Sequence, residues 1–198
     1  MTRAVQLSSG SNEHYGPAYL GAMAREVMGG IDLDPASCAQ ANTLIGARFY
    51  YSLERGEDGL EEPWAGRVYL NPPGGKSVKW EGRRVNSAAL WWYHLMVRYE
   101  LGWVEEAIVI VFNLELFRYA LGFPVAHPLD FAICFPEDRI DFMAPGPDGV
   151  PVEQGSPGHP NAIVYVGRED CALGLFREVF TKPRPGYGGG RVFFPGSL

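Results

Sequence analysis

Ala107-Ile108-Val109-Ile110-Val111-Phe112 is the stretch that decides the fold class. Apolar side chains fill odd and even positions alike, so a strand here must be covered on both faces. Such a strand belongs in the middle of a parallel sheet with helices above and below. Working outward on the amino side, Ala88, Trp91 or Trp92, Leu95 and Tyr99 share one side of a helix over about 86–101. On the carboxyl side a helix near 115–121 ends at Gly122.

The same alternation runs through the chain. Leu20, Met23, Ala24, Val27 and Met28 build an apolar stripe on a helix that starts near Pro17 and stops at Gly29-Gly30. Ile31-Asp32-Leu33-Asp34 reads as a short strand ending at Pro35, and Ser37 can cap a helix through about Leu44. Phe49-Tyr50-Tyr51 and Arg67-Val68-Tyr69-Leu70 are strands separated by an acidic, turn-rich stretch over 52–66. Further strands are expected at 131–135, 139–142 and 162–166, a Pro/Gly-rich loop at 144–160, and a last helix at 170–180. Strands alternating with helices predict right-handed crossovers and a mostly parallel, doubly wound α/β sheet. The close spacing of the last three strands predicts an antiparallel hairpin at one edge. One domain is expected over 13–181, between a flexible N-terminus (1–12) and a Gly/Pro-rich C-terminal tail (182–198) whose stretch 182–191 reads as mobile.

Composition narrows the function. A chain of 198 residues fits one domain at about 100–200 residues each. Its 25 Gly and 16 Pro argue for many loops and against a helical bundle or coiled coil. A net charge of −6 speaks against wholesale coating of nucleic acid but allows a local basic face. No apolar run approaches the roughly 18 residues of a membrane span, and Met1 to Gln6 lack the apolar core of a signal peptide. The expected location is therefore cytoplasmic, with no membrane partner. Cys38, Cys134 and Cys171 are odd in number and form no CxxC, which predicts neither a disulfide framework nor a zinc site. His14, His94, His127 and His159 have no metal-ligand spacing, so no metal is expected.

Two loops end strands in a way that matters chemically. Asp32-Leu33-Asp34-Pro35-Ala36-Ser37 follows the first strand, where doubly wound sheets bind ligands at the switch in strand order. Its carboxylates can accept from an ammonium or from ribose hydroxyls, but without GxGxxG it is no pyrophosphate cradle, and by itself it also fits a plain helix start. Asn71-Pro72-Pro73-Gly74 follows the Arg67–Leu70 strand. Its prolines fix φ and remove two N–H donors, leaving the Asn71 side chain and the Asn71 and Pro72 carbonyls as a stiff group of acceptors. That group suits an exocyclic amine with two N–H bonds to offer; an ordinary proline turn fits the same residues.

Taken in order, Glu13-His14-Tyr15-Gly16-Pro17, Ile31 to Ser37, Ala41-Asn42, Asp58-Gly59-Leu60, Trp64, Arg67 to Pro73, Cys134-Phe135, Arg139-Ile140 and Phe142 resemble the phage-encoded, Dam-like DNA N6-adenine methyltransferases found in phages and prophages. The resemblance covers roughly residues 13–180 and implies a Rossmann-like class I methyltransferase fold, S-adenosylmethionine as donor and adenine in DNA as acceptor. It assigns cofactor binding to Asp32, Asp34, Pro35, Ala36, Ser37, Asn42 and Asp58, and catalysis to Asn71, Pro72, Pro73 and Gly74. The fourth motif position is usually Tyr or Phe, which stacks on the target base, whereas this chain has Gly74. Tyr69, Trp80 or Trp64 are the rings that could replace it.

The implied chemistry is physically coherent. Adenine's amine is a poor nucleophile because its lone pair is delocalised into the ring. Two acceptors that hold its hydrogens out of plane localise that pair for in-line attack on a sulfonium methyl, with no covalent intermediate. The base must leave the duplex stack. Lys76, Lys79, Trp80, Arg83 and Arg84 directly follow the Asn71–Gly74 turn and form a candidate DNA-binding segment, although a solvated charged loop fits them equally. Lys182, Arg184 and Arg191 are weaker candidates, and Trp91-Trp92-Tyr93 reads as helix packing before a base platform. Arg139 matches a motif position but could simply pair with Asp138 or Asp141. Because the motif aromatic is missing, two other classes stay open: methyl transfer to cytosine N4, RNA or a protein amide, and a degenerate, non-catalytic module that binds DNA or protein.

Overall fold

A computed structural model describes residues 14–74, 77–155 and 158–196. The flexible N-terminus expected at 1–12, and Lys76, lie outside the described residues. In chain order the elements are α1 (Ala18–Met28), β1 (Leu33–Asp34), α2 (Ala39–Ile45), β2 (Phe49–Tyr50), β3 (Gly66–Leu70), β4 (Val78–Trp80), β5 (Arg83–Val85), α3 (Ser87–Glu100), β6 (Val104–Val111), α4 (Glu115–Ala120), β7 (Ala132–Pro136), β8 (Phe142–Ala144), β9 (Val152–Gly155), β10 (Ala162–Val166), α5 (Asp170–Thr181) and β11 (Gly190–Phe193). The stripe Leu20, Met23, Ala24, Val27 and Met28 of α1 is buried, and the helix stops where Gly29 takes φ 72°. On α3 both Trp91 and Trp92 are buried, so this aromatic run is packing.

The main sheet has seven strands in the order β11-β7-β10-β6-β3-β1-β2. β2, β1, β3 and β6 pair in parallel. β10 runs against β6 and β7, and β11 runs against β7. Side chains alternate between two cores. Tyr69, Ile108 and Ile110 face α1 and α5, together with Ile45 from α2. Val68, Leu70, Val109 and Val111 face α3 and α4. The chain leaves β1 toward β2 on one side and leaves β3 toward β6 on the other. The switch in strand order therefore falls between β1 and β3, the place where doubly wound sheets bind ligands.

The antiparallel part departs from the expected edge hairpin. β10 is an interior strand between β6 and β7, and all five of its residues, Ala162 to Val166, are buried. Its apolar character on both faces matches that of β6, and an edge position would have left it half exposed. The strand expected at 139–142 instead falls at Phe142–Ala144, leaves the main sheet and pairs with Val152–Gly155 inside the expected loop. The edge is formed by β11, in the segment expected to be a tail. Tyr187 is buried and donates its hydroxyl to the Phe180 carbonyl at 2.8 Å, while Arg184 forks onto Glu26 at 2.5 and 2.9 Å. β7 would otherwise present an open row of backbone donors and acceptors, which β11 satisfies.

Candidate active site

At the carboxyl end of β1 the Asp34 side chain is only 2% exposed, and its Oδ1 accepts the Ala36 N–H at 3.2 Å. Burial pushes its pKa up to about 7, against the opposing pull of Ala36 and Ser37. The Ser37 hydroxyl lies close to this carboxyl yet closes no hydrogen bond of normal geometry, so Ser37 Oγ stays buried and unpartnered among the described residues. Ser37 is not the helix cap that its position suggested. Cys38 Sγ caps α2, accepting the Ala41 N–H at 3.4 Å. Gln40 Oε1, in the first turn of α2, is a second buried orphan. Asp58-Gly59-Leu60 seats against this loop. A Cβ at Gly59 would lie 1.9 Å from the Pro35 carbonyl oxygen and 2.9 Å from the Trp91 ring, so only glycine fits. Asp58 Oδ1 accepts the Leu60 N–H at 3.0 Å, which shapes this turn.

Asp32 and Asn42, both expected at the cofactor, make bracing contacts within the fold. Asp32 Oδ2 accepts Arg67 Nε at 2.7 Å and the Arg67 backbone N–H at 3.0 Å, while Oδ1 accepts Arg67 Nη2 at 3.0 Å. The fork uses both carboxylate oxygens and holds the Asp32 pKa below the usual carboxylate range. Asn42 Oδ1 accepts the Ala47 N–H at 2.9 Å and Nδ2 donates to the Ala47 carbonyl at 3.1 Å, closing the turn after α2.

At the carboxyl end of β3, Asn71 is half-buried, Pro72 buried, Pro73 half-buried and Gly74 exposed, so the elbow climbs from core to surface. Asn71 Nδ2 donates to the His14 carbonyl at 2.8 Å. That bond fixes the amide orientation and leaves Oδ1 as the acceptor, unengaged among the described residues. The segment from His14 to Pro17 runs beside the end of β3. A Cβ at Gly16 would lie 2.3 Å from the Tyr69 hydroxyl, whose oxygen is buried and orphaned. The Tyr69 pKa is raised by burial first and then by the Asp34 charge, so this hydroxyl stays protonated. Tyr15 and Met143 exchange backbone hydrogen bonds at 2.7 and 2.9 Å, which ties the β8–β9 hairpin to this strip.

Of the three rings considered as substitutes at Gly74, Tyr69 and Trp64 are 0% and 1% exposed and cannot reach a ligand. Trp80 packs on Tyr93 and Phe123, with ring centroids at 5.0 and 5.3 Å. Sequence reasoning missed another aromatic pair. The His14 ring stacks on Phe112 at 4.9 Å and 26°, beside the elbow that its own carbonyl holds. The available signals were His14 in the Glu13–Pro17 motif and the position of Phe112 at the end of the central strand. A Cβ at Gly74 would meet nothing within 4 Å, and Gly74 has no positive φ.

The basic segment forms a two-stranded ribbon, with Lys79 opposite Arg84 and Trp80 opposite Arg83. Lys79, Arg83 and Arg84 are exposed. Behind Asp58, burial and the Arg98 charge push His94 down to about 4, so it is a neutral packing residue. Arg139 lines a cleft of about 670 Å³ with Tyr19, Asp138, Asp141 and Arg184. Among the described residues no cluster of His, Cys, Asp or Glu could hold a metal ion, and no helix is long and apolar enough to cross a membrane. These features define an α/β protein in which the buried Asp34 and the half-buried Asn71 lie at the carboxyl ends of neighbouring parallel strands. No family model, no curated protein and no solved structure matches the chain.

Proposed function

We propose that the chain is an S-adenosylmethionine-dependent methyltransferase, built on a Rossmann-like class I fold, that methylates the N6 amine of adenine in DNA. The observation that carries this reading is the Asn71 side chain at the switch point: the His14 carbonyl orients it, and its Oδ1 remains available next to the Asp34–Ser37 loop. A seven-stranded sheet with helices on both faces is compatible with that fold. The motif order from Glu13 to Phe142 supports the same assignment.

The loop after β1 fits a polar donor molecule, because Ser37 Oγ is buried without a partner beside Asp34. Ser37 and the backbone of Pro35-Ala36 would hold it. When bound, S-adenosylmethionine supplies an electrophilic methyl group. Asn71 Oδ1 and the Pro72 carbonyl would each accept one hydrogen of the target amine, which localises the nitrogen lone pair toward the methyl. As the N–C bond forms the sulfonium's S–C bond breaks, the neutral thioether leaves, and the proton shed by the nitrogen passes to solvent. The two prolines keep these acceptors still, so little reorganisation is needed at the moment of reaction. The His14–Phe112 ring pair offers the flat apolar face that Gly74 lacks. The transfer needs no thiol nucleophile; Cys38 is a helix cap, and burial pushes the Cys134 pKa up to about 11.

The open space above Gly74 favours one second reading, the same transfer to another amine, namely cytosine N4, RNA or a protein amide. Sequencing-level mapping of modified bases in DNA from cells expressing the chain separates the two. N6-methyladenine at defined sites is expected. Unmodified adenine, with folded protein and bound cofactor, overturns the primary reading.

A further inference from the structure

We propose that the β4–β5 ribbon reads double-stranded DNA. In this arrangement Lys79 and Arg84, on the outer face of the ribbon, contact phosphates, while Glu81 at the tip meets base edges in the major groove. The proposal rests on the chain being a DNA-acting protein and goes beyond it by naming the reading element and a C·G pair in the target.

Charge is the first argument. Lys79 and Arg84 stand directly across the two strands, an arrangement that repels. Among the described residues no carboxylate pairs with Lys79, Arg83 or Arg84, and Lys79 and Arg84 are exposed. In a chain of net charge −6, an unneutralised basic ribbon is conspicuous. It provides the local field that phosphates recognise.

The ribbon is both anchored and strained at its tip. Trp80, Tyr93 and Phe123 form a three-ring cluster, with Tyr93 and Phe123 stacked at 5.1 Å, which fastens the strands to α3 and to the turn after α4. The two-residue turn places Glu81 at φ 45° and Gly82 at φ 79°. Asn or Gly is the usual first residue of such a turn, and a long side chain at positive φ is disfavoured. Backbone strain of this kind collects at functional positions. A carboxylate on a phosphate-facing surface lowers affinity unless it meets a donor, and in the major groove glutamate characteristically accepts from cytosine N4.

Size and reach agree with this assignment. The major groove of B-DNA admits a two-stranded ribbon, whereas the deep, narrow groove of an RNA helix does not. Only the chain between Gly74 and Val78 separates ribbon from elbow, which limits their separation to about 14 Å.

The test is selection of bound duplexes from a random-sequence DNA pool by the full-length protein, followed by sequencing, so that no methyl transfer is required. The wild type should enrich a motif containing a C·G pair. Glu81→Gln should lose at least about five-fold of the preference at that pair. Lys79→Ala with Arg84→Ala should weaken binding to all sequences and flatten the slope of log affinity against log salt by about 2. Glu81→Gly, which relieves the turn, should keep or raise the melting temperature while losing the preference. An unchanged motif in Glu81→Gln, no motif in the wild type, or preferential capture of an RNA pool overturns the proposal. Methyl transfer with the motif unchanged in Glu81→Gln removes the ribbon reading alone. A ribbon-dependent motif without methyl transfer removes the enzymatic reading alone.

Discussion

Asp32 and Asp34 sit two residues apart at opposite ends of the same short strand, and their surroundings could hardly differ more. At the amino end Arg67 takes both oxygens of Asp32 and also donates to the Met28 carbonyl at 3.2 Å, closing the structure. At the carboxyl end Asp34 is buried with no cation partner among the described residues, and Ser37 and Tyr69 carry orphaned polar atoms near it. Uncompensated burial of polar groups costs stability, so a fold keeps it where a ligand will repay the deficit. The closed end holds the β1–β3 pair together; the open end is where chemistry is expected.

The sharpest way to break this contrast is Asn71→Ala at the open end. Methyl transfer should fall by about 10²–10³ or more, while S-adenosylmethionine affinity measured by calorimetry stays within about two-fold. Loss of cofactor binding instead would give Asn71 a different role. Asp34 offers a pH signature. Its folded pKa of about 7 lies above the unfolded value, so its contribution to stability is present below about pH 4 and is lost as pH rises toward 7. Urea unfolding of the wild type should weaken by a few kcal/mol (order of magnitude) across that window, and Asp34→Asn should remove the slope. Asp32, held low by Arg67, contributes with the opposite sign and is lost only as the solution becomes acidic.

Gly59→Ala drives a methyl into the Pro35 carbonyl and should destabilise the fold by about 1–3 kcal/mol, with weaker cofactor binding because the Asp34–Ser37 loop must shift. At the closed end Arg67→Ala should cost about 1 kcal/mol, since the pair is about a third exposed, and leave turnover per folded molecule unchanged. The smallest structural effect belongs to Gly74→Tyr. With open space and ordinary backbone at Gly74, its melting temperature should stay within about 1 °C, whereas turnover should rise through stacking worth roughly 1–3 kcal/mol.

The helices and the central strands were legible because their apolar periodicity is local: α1, α3 and β6 lie close to where their patterns fall. The switch point in strand order was legible for a related reason, since Asp34 ends one recognisable strand and Asn71 follows another. What escaped depends on partners distant in sequence. Nothing near Asp32 announces Arg67, and Asn42 reads as a motif position until its clamp on Ala47 is seen. β11 hides in a Gly/Pro-rich segment because its reason to form is the open edge of β7. The interior place of β10 could have been read from Ala162 to Val166, whose apolar pattern repeats that of β6. His14 meets Phe112 only once the sheet has formed.

The central idea is that an oriented amide and a proline-held carbonyl at the open end activate an amine toward a sulfonium methyl. Its most direct test is incubation of purified wild type and Asn71→Ala with duplex DNA and S-adenosylmethionine carrying a labelled methyl, followed by nucleoside analysis. The account predicts label in N6-methyladenine from the wild type and almost none from the variant. Label absent from every nucleoside with the wild type, or equal incorporation by both proteins, contradicts it.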